Sequence, residues 1–181
     1  MKSKIKSNNF NQKKYVLTGG PGTGKTTALE ILASLGYNII PETARKILDD
    51  EQKKDSDILP WKDCTKFQIV VAEKQFEAET SSKSAENFLD RSLIDGYAYC
   101  IYYNVPVPKI IIDKGQNRYD KVFLFEQLPS YKNDFNRKED KESADLIHKM
   151  IKDAYIKFGY KVIDVPTLPP KERVNFILDR I

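Results

Sequence analysis

An apolar run, Tyr15-Val16-Leu17, is followed by Gly19, Gly20, Gly22 and Gly24 and then by Lys25-Thr26. The spacing satisfies G-x-x-x-x-G-K-S/T, in which a strand turns sharply into a helix around a loop of backbone N–H groups. Both flanks fit. The run before the loop has buried-strand character, and Thr26 to Leu35 carries Ala28, Leu29, Ile31, Leu32 and Leu35 at helical spacing. Such a loop is rich in glycine because side chains would block phosphate oxygens from the inward-pointing amides. Lys25 is then placed to reach the terminal phosphates, its charge having no evident structural partner except bound phosphate. The Thr26 hydroxyl is placed to ligate magnesium. Gly19, Gly20, Pro21, Gly22, Thr23, Gly24, Lys25, Thr26 and Thr27 are therefore the candidate triphosphate-binding residues. Mg2+ together with ATP or GTP is the implied ligand set.

Five short apolar runs alternate with helical patterns, which predicts a mainly parallel sheet covered on both faces. The strand candidates are Tyr15–Thr18, Tyr37–Ile40, Asn87–Asp90, Lys121–Phe125 and Lys161–Val165. A long helix is expected from about Thr65 to Ser82, with the stripe Phe67, Val70, Val71 and Ala78 assigned to core rather than to ligand contact. Ala144, Ile147, Ile151, Ala154 and Phe158 repeat at helical spacing and should pack on the sheet, with Gly159 as the stop. A last helix should start near Pro169-Pro170 and carry Val174, Phe176, Ile177 and Ile181. The charged segments Asp49–Asp57 and Lys132–Glu142 are the expected mobile loops.

At 181 residues with a net charge of +4, the chain suits one domain, with acidic and basic residues interleaved over most of its length. No long basic stripe stands alone, so nucleic acid is not an expected partner. Residues 1–12 read as a flexible basic tail, leaving 13–181 as the single domain. No stretch is long and apolar enough for a membrane span, and no targeting signal is evident. Cys64 and Cys100 have no metal-ligand spacing, which suggests reduced thiols in a cytoplasmic protein.

In an open parallel sheet, ligands sit beyond the carboxyl ends of the strands. The third strand ends in Asp90-Arg91: Asp90 is placed to serve magnesium opposite Thr26, and Arg91 to clamp a phosphate. Ser92-Leu93-Ile94-Asp95 has the S-x-x-D/E form of a capping box. After the second strand, Pro41 and Glu42 suit the first turn of a helix, where Glu42 would also face the acceptor as a general base. Beyond the fourth strand, Glu126 to Glu139 reads either as a solvated loop or as a lid carrying Arg137 over the phosphates. His148, mid-helix among charged residues, reads as ordinary surface, and Trp61 as packing or, alternatively, a base-stacking side chain.

With the phosphate loop, Pro41-Glu42-Thr43-Ala44-Arg45, Asp90-Arg91-Ser92 with Asp95 and Ala98-Tyr99, and Tyr131-x-x-Asp134-x-x-Arg137-x-Glu139 in order, the chain resembles a known group. It is similar to the small P-loop ATPase/kinase-like AAA domains. That family includes the ribosylnicotinamide kinase domain of the NAD-biosynthesis protein NadR. It also includes the AAA-type domain of an animal GTP-binding protein of photoreceptor channel trafficking. Its E-x-A-R element and Asp-Arg pair are also similar to those of thymidylate and deoxynucleoside kinases. The resemblance implies a three-layer α/β P-loop NTPase fold of nucleotide-kinase type. It implies triphosphate binding by the loop, magnesium at Asp90, and Glu42 and Arg45 facing the acceptor. It further implies Arg91 on the phosphates and Arg137 in a lid. The expected activity is transfer of phosphate from ATP or GTP to a nucleoside- or nucleotide-like acceptor. The alternative is a slow nucleotide-hydrolysing switch that acts through a partner or a membrane. A kinase should retain an enclosed acceptor pocket at Glu42, Arg45 and Arg91, which a switch is free to fill while exposing an apolar face instead.

Overall fold

The computed structural model describes residues 12–128 and 141–181. Five strands form one wholly parallel sheet: β1 (Lys13–Thr18), β2 (Asn38–Ile40), β3 (Glu86–Asp90), β4 (Lys121–Phe125) and β5 (Val162–Val165). Their order is β2-β3-β1-β4-β5, so the strand leading into the glycine loop lies at the centre. In the β1–β3 register Leu17 lies beside Asp90, which brings the end of β3 level with the start of the loop.

Strand side chains alternate between two cores, as a pleat with period two requires. Tyr15, Leu17, Phe88, Phe123 and Phe125 join Ala28, Leu29 and Leu32 of α1 (Lys25–Ser34) and Val174 and Ile177 of α7 (Pro170–Leu178). Val16, Leu89, Val122 and Leu124 face the other way. There they meet α3 (Cys64–Ser81), α4 (Leu93–Tyr102), α5 (Lys109–Lys114) and α6 (Lys141–Lys157). The result is three layers, helix–sheet–helix, with α2 (Thr43–Lys53) beside α3. Because both faces are covered, the strands are apolar on both sides, and this explains why they read as runs rather than as alternations.

The five strands, α1 and α3 agree with the sequence periodicity to within a residue or two, whereas α5 is not expected from it. Several other details differ. Asp49–Lys53, expected in a loop, belong to α2, an amphipathic helix whose charges face solvent. Pro41 and Glu42 lie before that helix; Glu42 is its N-cap residue and makes no side-chain cap bond. Lys13 and Lys14 pair within the sheet, and Gln12 donates a hydrogen bond to the Ser82 carbonyl. Ile181 lies past the end of α7 and is exposed. Trp61 is 51% exposed, so about half of it is covered, and it is not on the cavity wall described below. Of the proposed lid, Glu126, Gln127 and Leu128 are described, with Leu128 on the cavity wall, whereas residues 129–140, Arg137 among them, lie outside the described residues, as do residues 1–11. Lys141 and Glu142, expected in a mobile loop, open α6.

Candidate active site

The glycine loop turns out of β1 into α1 against the end of β4. A Cβ on Gly19, where φ is +134°, would sit 2.8 Å from the Phe125 carbonyl oxygen. Only glycine accepts both that backbone angle and that approach. Inside the loop Lys25 is buried and folded inward. Its Nζ donates to Gly20 O (2.9 Å), Gly19 O (3.1 Å) and Thr23 Oγ1 (3.1 Å). The expectation that Lys25 lacks a structural partner is therefore wrong: its ammonium group ties the two ends of the loop together. Burial, with the neighbouring Arg91, pulls its pKa down to about 8, against the attraction of Asp90, Glu42 and Asp95. It stays mostly charged at neutral pH.

Two side chains reach the loop from later helices. His148 of α6, expected at the surface, is half-buried, and its Nδ1 accepts the Gly20 N–H at 3.2 Å. Burial, then Lys25 and Lys152, lower its pKa, against Asp164 and Asp145. The imidazole is thus kept neutral, the form that can accept. Arg173 of α7 donates from Nη1 to the Thr23 carbonyl at 2.6 Å. Neither contact is evident in the sequence, because each joins residues more than a hundred positions apart.

At the end of β3, Asp90 is buried and its Oδ1 has no hydrogen-bond partner among the described residues. Burial pushes its pKa up to about 6, with Lys25 opposing and Glu42 adding to the rise. A buried carboxylate oxygen with no partner among the described residues is available to a ligand. A carboxylate and the exposed Thr26 hydroxyl, both hard oxygen donors, suit Mg2+. Among the described residues no group of three or more His, Cys, Asp or Glu forms a metal cage.

Arg91 follows in the left-handed region, φ +66°, which costs a non-glycine residue on the order of 1–2 kcal/mol. Its surroundings fix it there. Its N–H donates to Leu17 O (3.0 Å), its Nε to Glu42 Oε1 (3.2 Å) and its Nη1 to Asp95 Oδ1 (3.3 Å). The guanidinium also lies over the Tyr99 ring, 5.4 Å from its centroid. Ser92 and Asp95 do form the expected capping box. Asp95 does more than cap, because it also accepts from Thr18 Oγ1 (2.5 Å) and Tyr155 OH (2.6 Å). One buried carboxylate thereby joins β1, Arg91 and α6.

These groups open onto a single cavity of roughly 780 Å3. The loop from Pro21 to Thr27, Asp90 and Arg91 line one part; Glu42, the exposed Arg45 and α3 line another. On α3 the sequence reading needs correction, for Phe67 and Val71 face the cavity instead of serving only as core. So do Gln68 and Gln75, both buried. Two buried glutamines seven residues apart on one helical face were a signal available in the sequence.

The comparisons agree with this geometry. A NadR protein solved in complex with NR matches with a TM-score of 0.71 at 20% identity, covering 93% of this chain and 49% of the other. A second NadR structure, with NAD and AMP-PNP, gives 0.67 at 22% identity, covering 93% of this chain and 48% of the other. The chain thus spans about half the length of the NadR chains. Deoxyadenosine kinase from M. mycoides, with products dCMP and dCDP, gives 0.60 at 18% identity, covering 92% and 97%. At these identities the likeness shows the fold, which is that of P-loop nucleotide kinases. No curated protein matches significantly. The family model described as an AAA domain matches residues 14–173, and the chain belongs to that family of P-loop NTPase domains.

Proposed function

We propose that the protein is a magnesium-dependent kinase that transfers the terminal phosphoryl group of ATP or GTP to a small acceptor. The acceptor would be a nucleoside-like hydroxyl or a nucleotide phosphate. One observation carries the reading: the phosphate loop and the Glu42–Arg91 pair open onto the same cavity, with Asp90 on its wall. Phosphoryl transfer needs little covalent help from protein; it needs alignment and charge compensation. The loop amides and Lys25 would bind the triphosphate. Thr26 and Asp90 would hold Mg2+, which when bound offsets negative charge on the phosphates. Glu42 would accept the proton of an attacking hydroxyl, its carboxylate held in place by Arg91 Nε. Arg91, itself fixed by Asp95, would present its guanidinium to the phosphates, and Arg45 would meet the acceptor at the rim. Arg137, outside the described residues, is proposed to cover the phosphates. The solved neighbours, bound to NR and to dCMP, support acceptors of this size and chemistry. A cytoplasmic location is proposed with it; no helix among the described residues is long and apolar enough to cross a membrane.

The rival reading, a slow switch, is free to fill the acceptor side, whereas the cavity of about 780 Å3 that begins at the loop extends to Glu42 and Arg45. Glu42→Gln separates the two. The substitution keeps shape, removes the base and weakens one partly exposed ion pair, worth about 0.5–1 kcal/mol of stability. Phosphoryl transfer from ATP and GTP should be measured over a panel of nucleosides and nucleotides, alongside triphosphate affinity. The variant should bind triphosphate normally and transfer to a hydroxyl about a hundredfold more slowly. If no acceptor outcompetes water in the wild type, or Glu42→Gln turns over at the wild-type rate, the kinase reading fails.

A further inference from the structure

Arg173 is a buried cation with no anion at ion-pair distance among the described residues. Its residue exposure is 3%, it forms no salt bridge among the described residues, and its Nε and Nη2 have no hydrogen-bond partner there. The guanidinium lies 5.7 Å from the centre of the Phe125 ring, which belongs to the sheet's second core. A methionine of similar length would fill that space with no donors left idle. Burial lowers the arginine's pKa, with Glu126 opposing, yet a guanidinium remains charged at any physiological pH. Structure alone offers no return for the charge.

The one hydrogen bond of its guanidinium among the described residues points to the return. Nη1 donates to Thr23 O at 2.6 Å, and a Cβ on Gly24 would lie 3.1 Å from the same nitrogen, so the guanidinium sits directly against the back of the loop. In a trans peptide the carbonyl and the following N–H point in opposite directions. There are no cis peptides among the described residues. Holding the Thr23 carbonyl outward therefore turns the Gly24 N–H the other way, towards the cavity that Gly24 lines. Gly24 tolerates this with φ +85°. The same guanidinium adds a positive charge behind a loop that is lined at its front by Lys25.

We propose that Arg173 is a positioning residue for the triphosphate: it fixes the Thr23–Gly24 peptide plane and supplies positive potential through the loop. The assignment deepens the nucleotide-binding part of the proposed function and does not depend on the identity of the acceptor. It carries a signature that a packing role lacks, because removing the charge should weaken binding without weakening the fold.

The test is calorimetric titration of the full chain with a non-hydrolysable ATP analogue and its GTP counterpart in magnesium. Melting temperatures of the ligand-free proteins are measured alongside. Arg173→Met should lose about tenfold or more in affinity, the scale of a charge-assisted hydrogen bond, while melting at or above the wild-type temperature. Arg173→Lys keeps the charge and a donor and should stay within about threefold of wild type. A methionine variant that binds as wild type overturns the assignment. So does one that melts far below wild type or does not fold, since Arg173 would then be needed for packing. A lysine variant as weak as methionine also overturns it, because neither charge nor donor would then matter. A wild type that binds no triphosphate defeats the nucleotide reading itself, a different outcome from wild-type binding that is indifferent to Arg173.

Discussion

Asp90 and Glu42 are two carboxylates on one cavity, and they answer to different forces. Glu42 is partly exposed and paired with Arg91, whereas Asp90 is buried with one oxygen unbonded. The folded protein holds the Asp90 proton more tightly than the unfolded chain does, with a pKa near 6 against 3.8. Between those values the native state therefore binds more protons, and stability falls as pH rises through that window. Above pH 6 the buried carboxylate is fully destabilising. Asp90→Asn removes the charge, so in metal-free buffer at pH 8 it should be more stable than wild type by about 1–3 kcal/mol. The gain should vanish near pH 4, where both proteins are neutral at that position. Urea unfolding of the pair between pH 4 and 8 measures this. A difference that ignores pH would mean that Asp90 has a protein partner, and the magnesium assignment would lose its support. The same substitution should slow magnesium-dependent turnover about a hundredfold or more, whatever the acceptor.

At the scale of elements, α6 shows what a sequence reveals and what it withholds. Its apolar repeat, Ala144, Ile147, Ile151 and Ala154, is buried against the sheet as the periodicity predicts, because burial of an apolar stripe is a local property. Two polar side chains on the same helix, His148 and Tyr155, reach Gly20 and Asp95 respectively. A histidine among charged neighbours looks like surface until the fold brings Gly20 to it. The buried Glu79 on α3 is similar: Arg118 and Tyr119, some forty residues later, complete its bonds. The phosphate loop was legible because its chemistry resides in one contiguous segment. Asp90, Arg91 and Glu42 were legible because strand ends in a parallel sheet converge. The props behind the loop depend on where helices come to lie, which no local pattern records.

The contact from α6 is testable. His148→Leu removes the Gly20 acceptor and should weaken triphosphate binding several-fold, a neutral hydrogen bond's worth. His148→Asn offers an amide oxygen in nearly the same place and should restore most of the loss. Because the native pKa of His148 is lowered, the unfolded chain takes up the proton first as pH falls below about 6.5. Wild type should therefore lose stability relative to His148→Asn below that pH and match it above. Equal binding by the leucine variant, or a stability difference that ignores pH, would show that the imidazole is incidental to the loop.

Across the whole molecule, the cavity is assembled from both ends of the chain: β1 and α1 supply the loop, α3 a wall, and α6 and α7 the supports behind. Binding at such a site should tighten the domain as a unit and not one segment of it. A ligand at a hundred times its Kd stabilises the native state by about 2.7 kcal/mol. For a domain of this length that corresponds to a melting shift of about 5–10 °C. ATP or GTP analogues with magnesium should produce it, and a true acceptor should add a further shift in their presence. Lys25→Ala gives the matching control. It loses the phosphate contact and also three bonds within the loop, so its own melting temperature should fall by a few degrees and its response to triphosphate should disappear. The measurement is a thermal melt of both proteins over a ligand series with and without magnesium. A wild type that no triphosphate shifts, or a Lys25→Ala protein that shifts as far as wild type, would mean that the loop does not bind phosphate. Every residue role argued from it would then fall together.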